Sequence, residues 1–387
     1  MNKINKDWKE VKLGDIGVFL RGFGISKKDL SDSGTPAIRY GDIYTKYDFI
    51  IKNISSFTNS KGTELKKGDI LFTGSGETIA EIGKSVAFID DFKALAGGDI
   101  IIFRPSIELD SAFLSYMLNT GKCRRDISVM GQGVIIAHIS SKSLQKLSVF
   151  LPSLDEQKRI ASALSKIDAY LENTIKLIEE KERFKRGIAK KLLTCKEDEN
   201  IPEARFKGFE DEWETKTLEN ICKNIKTGKL NANAMEKDGQ YRFYTCAKDY
   251  YKINTYAFDG EAILISGNGA HVGYVHYYNG KFNAYQRTYV LMDFTENILF
   301  IKYYIDIHLK YKINIENNKG NIPYIVLNTI KDMEIKFPSL EEQEKIGGYL
   351  SLLDKEIDNL KKQKELIKEM KRGAMQKLLS GEVRLLE

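Results

Sequence analysis

The chain has 387 residues, 60 basic against 54 acidic and 42% hydrophobic, with a mean hydropathy of −0.35; at roughly 150 residues per domain this allows two or three buried cores. No run approaches the ~18–20 apolar residues of a membrane span and residues 1–10 are too polar for a secretory signal, so the expectation is a cytoplasmic protein with no membrane contact. A net charge of +6 is compatible with a polyanion partner without announcing one.

In chain order, the first half opens with Trp8, Leu13 and Ile16. Two segments rich in groups that suit base edges follow, Arg21-Gly22-Phe23-Gly24-Ile25-Ser26-Lys27 and Arg39-Tyr40-Gly41-Asp42. Asp69-Ile70-Leu71 leads to Gly74 and Gly76, residues 85–89 read as a strand with 92–95 as its neighbour, and Ala112 to Asn119 as a short apolar helix. Ser153 followed by Glu156 is a capping-box signature after Pro152. From there Ile160, Leu164, Ile167, Leu171, Ile178, Ile188 and Leu192 keep heptad phase, with Thr174, Lys181 and Lys185 as gaps, which predicts one long helix with a single apolar stripe. Residues 196–202 read as a charged linker stopped by Pro202.

The second half repeats the first. Leu151-Pro152-Ser153-Leu154-Asp155-Glu156-Gln157-Lys158-Arg159-Ile160 returns 186 positions later as Phe337-Pro338-Ser339-Leu340-Glu341-Glu342-Gln343-Glu344-Lys345-Ile346. The same offset pairs Lys185-Arg186-Gly187 with Lys371-Arg372-Gly373, and the heptad phase recurs over Ile346, Leu350, Leu353, Ile357, Leu360, Ile367, Ala374 and Leu378. Weaker echoes match Trp8, Leu13 and Ile16 to Trp213, Leu218 and Ile221, Gly74 and Gly76 to Gly267 and Gly269, and Gly133 to Gly320. Within this half, residues 262–265 and 274–278 read as strands, Asn279-Gly280 as a hairpin turn into 282–285, and Ile298 to His308 as a helix. Two phase-matched stripes of equal length most simply satisfy each other. The fold class is therefore α+β: two β-rich domains in tandem, 1–152 and 196–338, joined by two long antiparallel helices, one at 153–195 and one that with a C-terminal tail fills 339–387, in an intramolecular coiled coil.

Catalytic and metal motifs fail on context. Phe72-Thr73-Gly74-Ser75-Gly76 has the form of a methyl-donor loop and Asn321-Ile322-Pro323-Tyr324 is one residue from an adenine-gripping motif, but they lie in different halves and the glycine pair recurs as a structural turn would. Gly83-Lys84-Ser85 lacks the phosphate-loop glycine five positions earlier, where Thr78 stands. His138, His271, His276 and His308 form no ligand cluster, and Cys123, Cys195, Cys222 and Cys246 contain no CxxC pair and read as small hydrophobes, so neither a metal nor a disulfide is expected. Residues 241–294 hold ten Tyr and four Phe, chiefly a packing signal, with basic residues between them.

Together these features resemble the specificity subunit of type I restriction-modification systems. The resemblance rests on the paired Pro-Ser-Leu-x-Glu-Gln-x-x-Ile helices ending in Lys-Arg-Gly and Lys-Leu-Leu, and on the entry Pro202-Glu203-Ala204-Arg205-Phe206-Lys207-Gly208-Phe209 with Trp213. It implies a non-catalytic reader of a bipartite duplex DNA site, each domain reading one half and the helices fixing the unread gap. It also implies two modification subunits and two translocase-nuclease subunits as partners, which would hold S-adenosylmethionine, ATP and Mg, this chain binding no cofactor. A coiled-coil scaffold that binds protein only, and a module serving a fused nuclease-methyltransferase, are the alternatives. Candidate DNA contacts are Arg21, Lys27, Arg39 and Tyr40 in the first half and Lys229, Asn231, Asn268, His271 and Arg287 in the second. Candidate partner contacts are Glu156, Gln157, Arg159, Lys185, Arg186, Glu342, Gln343, Lys345, Lys371 and Arg372.

Overall fold

In the computed structural model residues 7–78, 81–133, 137–196, 199–316 and 324–385 are described. The chain divides into two compact units, Met1–Thr174 with Gln363–Glu387, and Ile175–Lys362, so each unit holds one β-rich domain and part of both long helices.

In the first unit a five-stranded sheet runs in the order Gly17–Arg21, Ile100–Pro105, Ile70–Thr73, Ser85–Phe88, Ile50–Ile51. Ile70–Thr73 and Ser85–Phe88 are buried at every residue, because as central strands they are covered on both faces. The helix Ser111–Leu118 begins where the Asp110 carboxylate accepts the Phe113 N–H at 2.8 Å, and its Phe113 meets Trp8 edge to face at 6.0 Å. Strand Lys9–Lys12 pairs antiparallel with Ser148–Leu151, tying the start of the domain to the residues that precede the first long helix.

The second unit repeats this plan. Glu214–Thr217 pairs antiparallel with Glu334–Phe337, and Trp213 meets Phe300 edge to face at 5.8 Å. Its sheet runs Cys222–Thr227, Thr288–Phe294, Phe258–Ser266, Val275–Ala284, Tyr241–Tyr244, Tyr251–Ile253. The expected hairpin at Asn279-Gly280 does not form: Val275–Ala284 is one strand that passes straight through it. Gly280 lies opposite Gly260, and their φ of 137° and 123° are a conformation that only glycine adopts freely, so the pair bends two strands together instead of reversing one. Tyr244, Phe258, Tyr278 and Phe282 line the inside of this curled sheet, which accounts for much of the aromatic enrichment as packing.

The first long helix spans Leu154–Leu193 and the second Leu340–Leu378. Within each unit they are antiparallel partners: Asp168 takes Lys371 at 2.6 Å and Tyr170 meets Gln363 in the first, while Lys181 meets Glu356 at 2.7 Å and Lys185 meets Asp354 in the second. The apolar seam is buried at Ile160, Leu164, Ile178, Ile346, Leu350 and Ile357, as heptad phase demands. Its polar gaps carry a repeated clamp. Asp168 also accepts the Tyr116 hydroxyl at 2.6 Å, and Asp354 accepts that of Tyr303 at 2.6 Å, so in each unit one helix aspartate joins a lysine of the other helix to a tyrosine of the β-rich domain.

Burial alone would raise the Asp354 carboxyl, but hydrogen bonds from Lys185 and Tyr303 outweigh it and hold the group below the usual aspartate range. A depressed folded value means that the clamp contributes its full stability above the unfolded value of about 3.9 and loses it as pH falls through the folded one. Unfolding midpoints measured on acidification should therefore fall less steeply in Asp354→Asn than in the parent chain below about pH 4.

The segments after the two long helices hide a second repeat. Ala204-Arg205-Phe206 and Val383-Arg384-Leu385 each turn back, with Ala204 N–H donating to Lys191 O at 2.9 Å and Val383 N–H to Lys377 O at 3.2 Å. The expected charged linker is tethered: Cys195 pairs with Pro202 in an antiparallel bridge and Trp213 N–H reaches Asn200 O at 2.9 Å, while Glu197 and Asp198 lie outside the described residues.

Candidate nucleic-acid interface

In the first unit, loops far apart in sequence meet at one end of the five-stranded sheet. Arg21, Gly22, Gly74, Asp99, Gln132 and His138 line a cavity of about 430 Å³ there. His138 pairs with Ser75 in a short antiparallel bridge, with its Nδ1 2.9 Å from the Ser75 hydroxyl, and its backbone is held on the other side by Gln132 at 2.7 and 2.9 Å. Asp99, Gln132 and His138 are exposed. Their side chains supply an acceptor, an amide and an imidazole, the groups that read base edges.

Of the four expected contacts in this half, Arg21 lies on that rim. Lys27 is exposed in the short turn Lys27–Asp29, apart from it. Arg39 stands at the N-cap position of the helix Tyr40–Thr45 and turns back onto Asp42, donating from Nη2 to one carboxylate oxygen at 3.1 Å and from its backbone N–H to the other at 3.0 Å. Tyr40 is 42% exposed on that helix, whose Tyr44 hydroxyl donates to Ser75 O at 3.0 Å.

The second unit gathers its expected residues more completely. Gln286 N–H donates to Leu230 O at 2.9 Å, between Lys229 and Asn231, and Gly267 N–H donates to Arg287 O at 2.8 Å, beside Asn268. His271 sits in the turn that follows, where its carbonyl accepts the Tyr274 N–H at 3.0 Å. Asn268 forms an antiparallel bridge with Tyr324, whose side chain is 61% exposed. Lys229, Asn231 and Arg287 are exposed, so this rim presents donors and stacking surface together. Asn321 to Pro323, of the motif set aside on context, and the repeat match at Gly320 fall outside the described residues.

Sequence reasoning missed Ser75, Asp99, Gln132, His138 and Tyr324. The repeat offers a signal for two of them, since the offset that pairs Gly74 with Gly267 also places Ser75 opposite Asn268, the residues bridged to His138 and Tyr324.

The partner surface read from the sequence needs correction. Glu156 and Glu342 are fully buried, Gln157 and Gln343 nearly so, and all four are engaged inside their own units. Glu342 takes Arg205 in a two-pronged ion pair at 2.7 and 2.8 Å, and Glu156 takes Arg384 at 2.5 and 2.7 Å. The glutamates therefore do not close a reciprocal capping box, although Ser153 still accepts the Glu156 N–H at 3.4 Å. Gln157 bridges Asp110 N–H and Pro152 O, and Gln343 bridges Asn297 N–H and Pro338 O, all at 3.0 Å. Lys185 and Lys371 are held by the helix aspartates, and Arg159 donates to Leu385 O at 2.7 Å. Arg186, Arg372 and Lys345 remain exposed, the last over the rings of Phe206 and Phe209.

Among the described residues no group of three or more His, Cys, Asp or Glu is placed to hold a metal, and no helix is long and apolar enough to cross a membrane. The four cysteines are unpaired, and burial pushes the Cys123 thiol up to about 12, so it behaves as an inert packing group. The glycine motifs serve as turns: Gly74 N–H and Gly267 N–H each donate to the residue that crosses the rim, Asp99 and Arg287.

Comparison with known proteins identifies the family. Residues 5–180 and 210–369 match the family described as type I restriction modification DNA specificity domain. The EcoDI specificity subunit of a type I restriction enzyme from Escherichia coli is 39% identical over 170 residues, covering 44% of this chain and 37% of that protein. The MjaVIII specificity subunit from Methanocaldococcus jannaschii is 24% identical over 414 residues, covering 99% of this chain and 94% of that one. The crystal structure of the type I restriction-modification S subunit from M. genitalium shares the fold, with a TM-score of 0.66 at 20% identity, covering 98% of this chain and 97% of that one. The chain belongs to the type I restriction-modification DNA specificity family and carries the family's domain twice.

Proposed function

We propose that this chain is the DNA-reading subunit of a type I restriction-modification assembly, with each unit reading one half of an asymmetric bipartite duplex site. The observation that carries this is the duplication itself: two units of one plan carry different side chains on corresponding rims, which suits two unlike half-sites. The chain does no chemistry. Two modification subunits would hold S-adenosylmethionine and methylate adenine, and two translocase-nuclease subunits would use ATP and Mg, all in the cytoplasm. The paired helices would set the length of unread DNA and dock the modification subunits through a surface that occurs twice. A net charge of only +6 implies that the partners supply much of the grip on phosphate.

Mapping N6-methyladenine across the host genome with and without the gene tests this. Loss of one bipartite motif on deletion is expected, and an unchanged map would refute the reading. Affinity of the assembled complex for a duplex bearing that motif should fall steeply with salt, because neutralised phosphates release counterions, whereas a scaffold that binds protein only would show no such slope.

A further inference from the structure

The rims of the two units are built on one backbone frame. Gly22 N–H donates to Ile100 O at 2.8 Å and Gly228 N–H to Thr288 O at 3.2 Å. Gly74 N–H donates to Asp99 O at 2.7 Å and Gly267 N–H to Arg287 O at 2.8 Å. Ile139 N–H donates to Gly74 O at 3.0 Å and Ile325 N–H to Gly267 O at 2.8 Å, which seats His138 and Tyr324 alike. Both glycines also lie too close to the crossing chain for a side chain: a Cβ on Gly22 would meet Gly97 O at 2.1 Å, and one on Gly228 would meet Ala284 O at 1.9 Å, one step out of register. These hydrogen bonds hold corresponding residues at corresponding places on each rim, although Asp99 has a φ of 64° that Arg287 does not share, so the two side chains leave the frame in different directions.

The rims differ in chemistry at two corresponding places. Where the first unit has Asp99, the second has Arg287; where the first has His138, the second has Tyr324. The first pair inverts charge and hydrogen-bonding sense, an acceptor against a fork of donors. A carboxylate accepts from the exocyclic amino group of cytosine, and a guanidinium donates to the O6 and N7 of guanine.

We propose that these two frame positions are specificity determinants: Asp99 selects a cytosine in the half-site of the first unit, and Arg287 a guanine in that of the second. His138, oriented by Ser75, and Tyr324 read or stack on the neighbouring base. This rests on the chain being a DNA reader and adds which residues choose and which bases they take.

The test uses the assembled complex with two single variants. Asp99→Asn keeps a residue that tolerates the observed φ of 64°, and Arg287→Ala removes the fork. N6-methyladenine maps of hosts carrying each variant are compared with that of the parent chain, and affinities are measured on duplexes altered at one position. The expected result is relaxation at one position of one half-site per variant, with discrimination there falling roughly ten- to a hundredfold and the other half-site unchanged. An unaltered motif for both variants overturns the assignment. So does an equal loss of affinity for all sequences, which would make the groups phosphate contacts. If Asp99→Asn melts below the parent, His138→Ala replaces it, and must relax a position in the same half-site. Absence of any bipartite motif with the parent chain would overturn the functional reading and the assignment together, whereas a parent motif left intact by the variants removes only the assignment.

Discussion

Arg205→Ala is expected to destabilise the second unit by about 3–5 kcal/mol, seen as a lowered midpoint of thermal or urea unfolding. Glu342 is fully buried at the start of the second long helix, and its two oxygens are met by Nε and Nη2 of Arg205 at 2.8 and 2.7 Å. Arg205 is itself only 13% exposed. Removing the guanidinium leaves a buried carboxylate with its principal partner gone, which costs the full desolvation of that charge. Glu342→Leu in the same background should recover much of the loss, because an apolar residue of similar volume suits the site once the arginine is absent. A midpoint unchanged by Arg205→Ala would show that water reaches Glu342. The counterpart, Arg384→Ala on Glu156, should be milder, since Arg384 is 26% exposed and water can take part of its place.

That ion pair also marks the limit of what the sequence discloses. The long helices were legible because a heptad stripe is a local periodic signal: the expected spans 153–195 and 339–387 enclose the observed Leu154–Leu193 and Leu340–Leu378. The short helix expected at 112–119 appears as Ser111–Leu118 for the same reason. Glu156 and Gln157 looked like surface groups because charged and amide side chains usually are. Their partners, Arg384 and Asp110, are remote in sequence, and no periodicity marks them. The match of Ala204-Arg205-Phe206 with Val383-Arg384-Leu385 was hidden because its spacing is seven residues shorter than the 186 of the helices. Asn279-Gly280 misled because the dipeptide favours a two-residue turn by itself, and only the opposing Gly260 makes it a bend within a strand.

The candidate rims were partly legible for a related reason. Lys229, Asn231, Asn268 and Arg287 sit beside glycines or turn signals at strand ends, where a sequence reader looks for exposed polar groups. Asp99 and His138 stand among buried neighbours, and they reach the rim through remote contacts, Asp99 by accepting the Gly74 N–H and His138 by pairing with Ser75 across 63 positions. Arg39 looked like a free base reader, but the Asp42 carboxylate three residues away accepts both its backbone N–H and its guanidinium.

Ala169→Pro and Lys355→Pro are expected each to cost about 3 kcal/mol or more in unfolding free energy and to abolish assembly with the modification subunits. The two positions correspond in the repeat, each following the clamp aspartate, Asp168 or Asp354, and each lying four residues after a serine, Ser165 or Ser351. A proline there removes the N–H that the serine carbonyl accepts and drives its ring into that carbonyl, which bends the helix where the aspartate must meet the other helix. In the first unit the bend would part Asp168 from Lys371 and Tyr116; in the second it would part Asp354 from Lys185 and Tyr303. Lys355→Ala separates the backbone effect from loss of the side chain, and should leave both stability and assembly within about 0.5 kcal/mol of the parent. Co-purification with the modification subunits reads the outcome. If either proline variant assembles and melts as the parent does, the helices are not the element through which the two units and their partners are joined; if both fail while Lys355→Ala succeeds, the repeated bar is the docking platform and the rims are free to diverge.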